Sequence, residues 1–250
     1  MKSSAAIGFL TDKIRMFVGI RRILFLLAPL LVASSSFCQQ RYVTRYDAFV
    51  GYAYLNSPAV NLAENGVHFQ AGVRPKTWHS LGFDYSYSTG DLVITPDLLP
   101  ASLQQQLAAQ LAALAAAGRL PPGYTLAVAA HSATHSFAAG PQLSYRHFSH
   151  VTLFVRPSIG AVHETATPKP ADPIATAIVS QLAPSGKKQD WTGFYGAGGG
   201  IDLNPSPHFG LRIQVDVAYD HLFNDLLANG RWTVRFSVGP AFNFGRNIAK

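Results

Sequence analysis

The sequence predicts an all-β chain, an eight-stranded antiparallel up-and-down transmembrane β-barrel with helical segments in its extracellular loops. Three observations predict it. Eight segments alternate apolar side chains with polar or small ones, and short and long connections alternate between them. Charged residues make up 13% of the 250 positions and hydrophobic ones 48%. A soluble domain carries about 25% charged residues, so much of this surface faces something other than water.

The clearest segment is 231–244, RWTVRFSVGPAFNF. Trp232, Val234, Phe236, Val238, Pro240, Phe242 and Phe244 share one parity, and Thr233, Arg235, Ser237, Gly239, Ala241 and Asn243 the other. Successive side chains of a strand point to opposite faces, so one face is apolar throughout. The run exceeds the about 5–6 residues of an ordinary strand and the about 9–11 of a tilted membrane strand. Its apolar row begins and ends in aromatics, as a lipid-facing row with interfacial girdles does.

Seven further segments alternate upstream. Residues 46–55 set Tyr46, Val50, Tyr52 and Tyr54 against Asp47, Phe49, Gly51 and Ala53. Residues 66–74 set Val67, Phe69 and Val73 against His68, Gln70 and Arg74, and 78–88 set Leu81, Phe83, Tyr85 and Tyr87 against Ser80, Asp84 and Ser86. Residues 136–146 set Phe137, Leu143 and Tyr145 against Gln142, Ser144 and Arg146, and 151–163 set Val151, Val155 and Ile159 against Thr152, Arg156 and Ser158. Residues 191–203 place Trp191, Tyr195, Ile201 and Leu203 on the parity opposite Asp202. Residues 208–220 set Phe209, Leu211, Ile213, Val215 and Val217 against Arg212, Gln214, Asp216 and Asp220.

Short turns are expected at 75–77, 147–150 and 204–207, and longer loops near 56–65, 89–135, 164–190 and 221–230. Short turns on one rim and long loops on the other characterise outer-membrane barrels, and the count puts both termini on the short-turn, periplasmic side. A strand in lipid must pair both its edges, so the sheet closes. Eight strands enclose a lumen just wide enough for side chains to fill. A soluble sandwich or lipocalin-like barrel also alternates, but with its apolar face inward. Here that would enclose the aromatics and expose the charges, or else leave rows of Phe, Tyr, Trp and Val in water.

Residues 23–33, ILFLLAPLLVA, follow Arg21-Arg22 and precede SSSFCQQ, which reads as a signal peptide over 1–38 ahead of a barrel domain over 39–250. Cleavage after Cys38 places small Ser36 and Cys38 at the −3 and −1 positions; bulky Phe37 argues against lipidation of Cys38. The formal charge of +7 falls to +3 without the leader, with 15 basic and 12 acidic residues left. No basic run interleaves with aromatics, so no nucleic-acid partner is expected.

Two loops carry helical patterns. Over 98–118, Leu99, Leu103, Leu107, Leu111 and Leu114 recur at helical spacing, with Pro100 near the start and Gly118 at the end. Over 173–183, Asp172 can cap a helix whose Ile174, Ile178 and Leu182 share a face. Each is expected to cover apolar surface at the barrel mouth; a gating lid or a membrane-surface helix is the alternative. The leucine stripe lacks Lys and Arg beside it, which disfavours electrostatic lipid binding.

The signal peptide and eight-strand pattern, with DAFVGYAYL at 47–55 as a first strand, resemble the small outer-membrane β-barrel superfamily that includes the OmpA transmembrane domain and porin-like proteins. The last strand resembles that family's assembly signal in Ser237, Gly239, Phe242 and Phe244, although Gly245–Lys250 follow it. No peptidoglycan-binding segment follows the barrel here, so cell-wall anchoring is not carried over. The resemblance implies the outer membrane of a Gram-negative bacterium. Outer-membrane lipid, lipopolysaccharide and the barrel assembly machinery are its implied partners.

The candidate site is a lumen charge network of Arg74, Asp84, Arg146, Arg156, Asp202, Arg212, Asp216 and Arg235, with Asp47 and Asp220 on the same faces. In the simplest register of the last hairpin, Asp216 lies opposite Arg235. Such a network either fills a narrow lumen or lines a small-solute path. A structural or surface-interaction role with a largely plugged lumen is expected, with a narrow porin-like channel as the alternative. No cofactor, metal or catalytic residue is expected. His131, Ser132, His135 and Ser136, with His163 and Glu164, raise the weaker alternative of a lipid A deacylase-like hydrolase at the outer rim. Neighbouring His and Ser on a strand point to opposite faces, which counts against it. A zinc-type site from His131, His135 and His163 is equally weak.

Overall fold

Eight strands form one closed ring in the computed structural model, which describes residues 40–249 except Ala228. The strands are β1 (Thr44–Ser57), β2 (Leu62–Lys76), β3 (His79–Ile94), β4 (Val128–Tyr145), β5 (Val151–Lys169), β6 (Lys188–Leu203), β7 (Phe209–Asp220) and β8 (Arg231–Asn247). Each pairs antiparallel with its sequence neighbours, and β1 pairs with β8 from Thr44↔Asn247 to Asn56↔Val234, leaving no edge. The expected signal peptide lies outside the described residues.

Side chains follow the expected parity. Phe83, Val155, Ile159, Val215 and Phe236 point out and are exposed, Ile159 to 72%. Asp84, Arg156, Arg212 and Gln214 on the alternate positions are buried, Arg212 to 0% exposure. Exposed aromatics lie near both ends of the outer surface: Tyr46, Tyr145, Phe209 and Phe244 toward the termini, and Tyr54, Tyr87, Trp191 and Trp232 toward the long loops. An exterior this apolar around an ionic interior suits lipid as the outer solvent. Among the described residues, no helix is long and apolar enough to cross a membrane.

The strands run further than the sequence indicates. β2 begins at Leu62, β3 reaches Ile94, β4 begins at Val128 and β5 reaches Lys169. The loops near 56–65, 89–135 and 164–190 shrink to 58–61, 95–127 and 170–187, while 221–230 stays as expected. The β3–β4 and β4–β5 pairings continue to Ile94↔Val128 and Ala129↔Lys169, which satisfies the backbone groups of these added stretches. The added stretch Ala129–Thr134, AAHSAT, offers little hydropathy contrast, so its alternation is hard to see.

The helices form where the spacing predicts, slightly shorter: α1 (Ala101–Ala116) and α2 (Pro173–Leu182). Pro100 takes the cap position of α1. Gly118 ends it at φ +66°, a left-handed conformation, with Arg119 N–H donating to Leu114 O at 2.9 Å. Leu99, Leu103, Leu107 and Leu111 meet Ile174, Ile178 and Leu182 in one apolar cluster that also takes in Leu126 and Val128; Leu114 lies outside it. The two helices therefore cover each other and the β4 rim. Asp172 caps α2, accepting from Ile174 N at 2.9 Å and Ala175 N at 2.8 Å. The Tyr124 hydroxyl donates to both Asp172 oxygens at 3.1 Å.

Desolvation, and then the Asp172 carboxylate, hold the Tyr124 phenol above its ordinary value. Raised in the fold, this group contributes its bond in full below about pH 10 and loses it as pH rises through the higher folded value. Asp172→Ala removes a cap worth about 1 kcal/mol. Amide exchange in 174–182 should then quicken about 5-fold while β1–β8 amides stay protected; an unchanged rate would contradict the capping role.

Candidate functional site: the ion-paired lumen

Three tiers of ion pairs cross the lumen. The middle tier rests on one row of strand register: Arg156 on β5 lies opposite Gly198 on β6, Gly198 opposite Asp216 on β7, and Asp216 opposite Arg235 on β8. Arg235 Nη2 meets Asp216 Oδ2 at 2.8 Å, the contact the last hairpin predicts. Arg156 forks onto Asp84 of β3, with Nη1 donating to Oδ1 at 2.6 Å and Nη2 donating to Oδ2, and its Nη2 also reaches Asp216 Oδ1 at 3.4 Å. Arg235 Nη1 donates to Ser86 Oγ at 2.8 Å. Gly198 is required by its place in the row: a Cβ there would lie 1.9 Å from Asp216 Oδ1. Gly200, two residues on, likewise leaves room for a lumen side chain: a Cβ there would lie 2.7 Å from Phe154 Cζ.

The tier nearer the termini centres on Arg212. Its Nε and Nη2 donate to Asp202 Oδ1 and Oδ2 at 2.7 and 2.9 Å, its Nη2 to Asp47 Oδ2 at 3.2 Å, and its Nη1 to Gln70 Oε1 at 2.6 Å. Phe154 and Phe49 face the guanidinium with ring centroids 4.9 and 5.7 Å away, so the cation is bonded in plane and stacked on its faces. Arg74 reaches Asp47 Oδ2 at 3.4 Å and donates to Thr44 O at 3.3 Å. Arg146 sits apart, beyond β4. It donates to neutral acceptors: Thr77 O at 2.9 Å, Gln40 Oε1 at 3.1 Å and Thr152 Oγ1 at 3.0 Å.

The tier nearest the loops joins the expected Asp220 to three residues outside the expected set, Arg231, Glu164 and Glu64. Arg231 donates to Glu164 Oε2 and, through Nε at 3.0 Å, to Asp220 Oδ1. Glu64 accepts from Ser88 Oγ at 2.9 Å and Thr134 Oγ1 at 3.0 Å. Parity could have found it, since Glu64 shares the face of His68 and Arg231 that of Arg235. Expecting β2 to begin at 66 and loop 164–190 to contain Glu164 hid the signal.

The hydrolase and metal constellations do not assemble. Ser132 and Thr134 are buried in the lumen, Glu164 with them, while His131 points outward, its Nδ1 donating to Asp91 Oδ1 at 3.0 Å. His135 also lies on the outer face, its Nδ1 3.0 Å from Tyr85 Oη, and its ring is 6.0 Å from His163, which stacks on Trp191 at 4.5 Å. Among the described residues, no group of three or more His, Cys, Asp or Glu is placed to hold a metal ion. A Ser–His–Asp contact does occur in the lumen, with His68 Nδ1 3.0 Å from Ser237 Oγ and Nε2 3.6 Å from Asp84 Oδ1. All three side chains are fully buried, and Asp84 is already held by Arg156. The arrangement packs the lumen and offers no hydroxyl to a substrate.

Apolar side chains turned outward, charges paired inward and a ring without edges decide the architecture. This is the fold of the small outer-membrane barrels. No protein-family model and no curated protein matches the chain. Among solved structures, the chain is similar to Ail, the attachment invasion locus protein of Yersinia pestis, in complex with the heparin analogue sucrose octasulfate: 14% identity, TM-score 0.46, covering 81% of this chain and 99% of that one. It is also similar to Neisserial surface protein A, at 11% identity and TM-score 0.49, covering 80% and 96%. A third is the outer membrane protein OprG from Pseudomonas aeruginosa, at 8% identity and TM-score 0.44, covering 83% and 99%. At these values the barrel assignment rests on the strand ring and side-chain distribution described above.

Leaving one partner of a buried ion pair uncompensated costs about 3–5 kcal/mol. Asp84→Ala should lower the unfolding free energy of the barrel in lipid vesicles by that amount, read from urea titration. Asp91→Ala, removing an exposed partner of Lys169 and His131, should change it by under about 1 kcal/mol. Equal effects would contradict the tier's role.

Proposed function

We propose that this chain is an integral outer-membrane barrel whose lumen is closed by its own ion pairs and whose role is structural or surface-interaction, carried by the helical and long loops. The observation that carries this reading is the joining of Arg156, Arg235, Asp84 and Asp216 across the middle of the lumen. Opposed charges bonded to each other span the width that an eight-stranded ring encloses. The outward surface supports lipid and lipopolysaccharide as its surroundings. Gly239, Phe242 and Phe244 serve, on this reading, as the strand that the barrel assembly machinery recognises. Phe242 and Phe244 are exposed, Phe242 meeting Phe209 edge-on and Phe244 stacking on Tyr46, so the motif remains on the outer wall after folding.

Planar-bilayer recording tests the closed lumen. The natural sequence should give no discrete conductance steps. Replacing Arg156 and Asp216 together with Ser removes one cation and one anion from the middle tier, keeps the net charge, and should produce steps. Steps from the natural sequence would overturn the closed-lumen reading in favour of the narrow channel.

A further inference from the structure

We propose that the space beneath the helical cap is a binding site for an uncharged, hydrocarbon-like molecule of about six carbons. A cavity of about 100 Å³ lies between the mouth of the barrel and the two helices. Its walls come from separate parts of the chain: Leu92 of β3, Leu99 and Leu126 of the 95–127 loop, Leu107 of α1, Ile178 of α2 and Leu227 of the 221–230 loop.

Three features set the ligand class. The first is the lining, which is overwhelmingly aliphatic. An apolar cavity of this kind stays dry, because a water inside it would lack two to four polar partners. The second is the floor. Glu164 and Arg231 reach the cavity, but they are bonded to each other, and Arg231 also to Asp220. A charged ligand would have to break that tier, whereas a neutral apolar one leaves it intact. The third is size. A cavity of about 150 Å³ lined by Leu, Ile and Phe takes up benzene, so the present space suits a single small ring or a short alkyl chain.

The lip of the cavity is held by a surface contact. Lys188, at the start of β6, lines the space and pairs with exposed Asp225. This pair ties the 221–230 loop, which supplies Leu226 and Leu227, to the barrel wall. The cap therefore brings together two helices and a fastened loop around one apolar volume above the ionic lumen. The site is independent of whether the lumen conducts, since its floor lies above the middle tier.

The test uses the folded barrel in lipid nanodiscs with ¹³C-labelled Ile, Leu and Val methyls, titrated with benzene. Shifts of the Leu107, Ile178 and Leu227 methyls should saturate. Those of lipid-facing Leu81, Leu211 and Val215 should drift linearly as benzene partitions into the bilayer. Ala183→Leu, at a small buried residue lining the cavity, should raise the half-saturation concentration at least 10-fold while heat-modifiable migration on a gel is retained. Ala166→Leu is the second filling variant should the first not fold. Benzoate should give no saturable shift. Linear drift at the cap methyls, saturation that persists in the filled variants, or equal saturation by benzoate would each overturn the proposal.

Discussion

A hydrocarbon solvent offers no hydrogen bond to a strand, and the rest of this structure depends on that constraint. Every backbone group within the bilayer must find its partner in the sheet, which forces β1 onto β8 and removes the edges. Once the ring closes with apolar side chains outward, the alternate positions have nowhere to go but the lumen. Polar and charged groups there must satisfy one another, because little water reaches them. The tiers around Arg212, Arg156 and Arg231 are the consequence.

The tiers are built from adjacency in the sheet and from reach across it. Asp202 and Arg212 are register partners, as are Asp216 and Arg235 and also Asp220 and Arg231, so the β6–β8 wall carries much of the charge. Arg156 supplies the span, crossing from β5 to Asp84 on β3. Gly198 makes room on the other side of Arg156, because a Cβ there would lie 1.9 Å from Asp216 Oδ1. Aromatics do the same work differently: Phe49 and Phe154 are turned inward and stack on Arg212, which desolvates the cation without leaving it unsupported. At the loop end, the lumen gives way to aliphatic residues, and the cap helices cover them as a small soluble core would.

Much of this was legible in the sequence. Strand number and facing follow from parity, as Asp84 inward and Phe83 outward illustrate, because a membrane strand repeats a simple pattern over many residues. The Asp216–Arg235 contact follows from a hairpin with one register, the α2 cap from Asp172-Pro173, and the α1 terminus from Gly118. That His131 and Ser132 take opposite faces also follows from parity, and the extension of β4 to Val128 turns the histidine outward. What stayed hidden depends on closure or on weak contrast. The Arg156–Asp84 fork joins strands two places apart in the ring, and nothing local relates them. The upper halves of β4 and β5 are written in Ala, Ser and Thr, which suit loop and strand alike. That concealed the place of Glu164 and, with it, the tier that Arg231 completes. The cavity needs many separated segments at once and has no local signature.

Spin-label accessibility measures the inside-out orientation most directly. Nitroxides placed singly at Phe83, Val155, Val215 and Phe236 in the lipid-reconstituted barrel should be relaxed strongly by oxygen and weakly by a water-soluble nickel complex. Labels at Ser86 and Ser237, on the alternate parity, should be protected from both. If the first set were relaxed by the nickel complex and the second by oxygen, the apolar face would be turned toward water, and the account of this barrel would be contradicted.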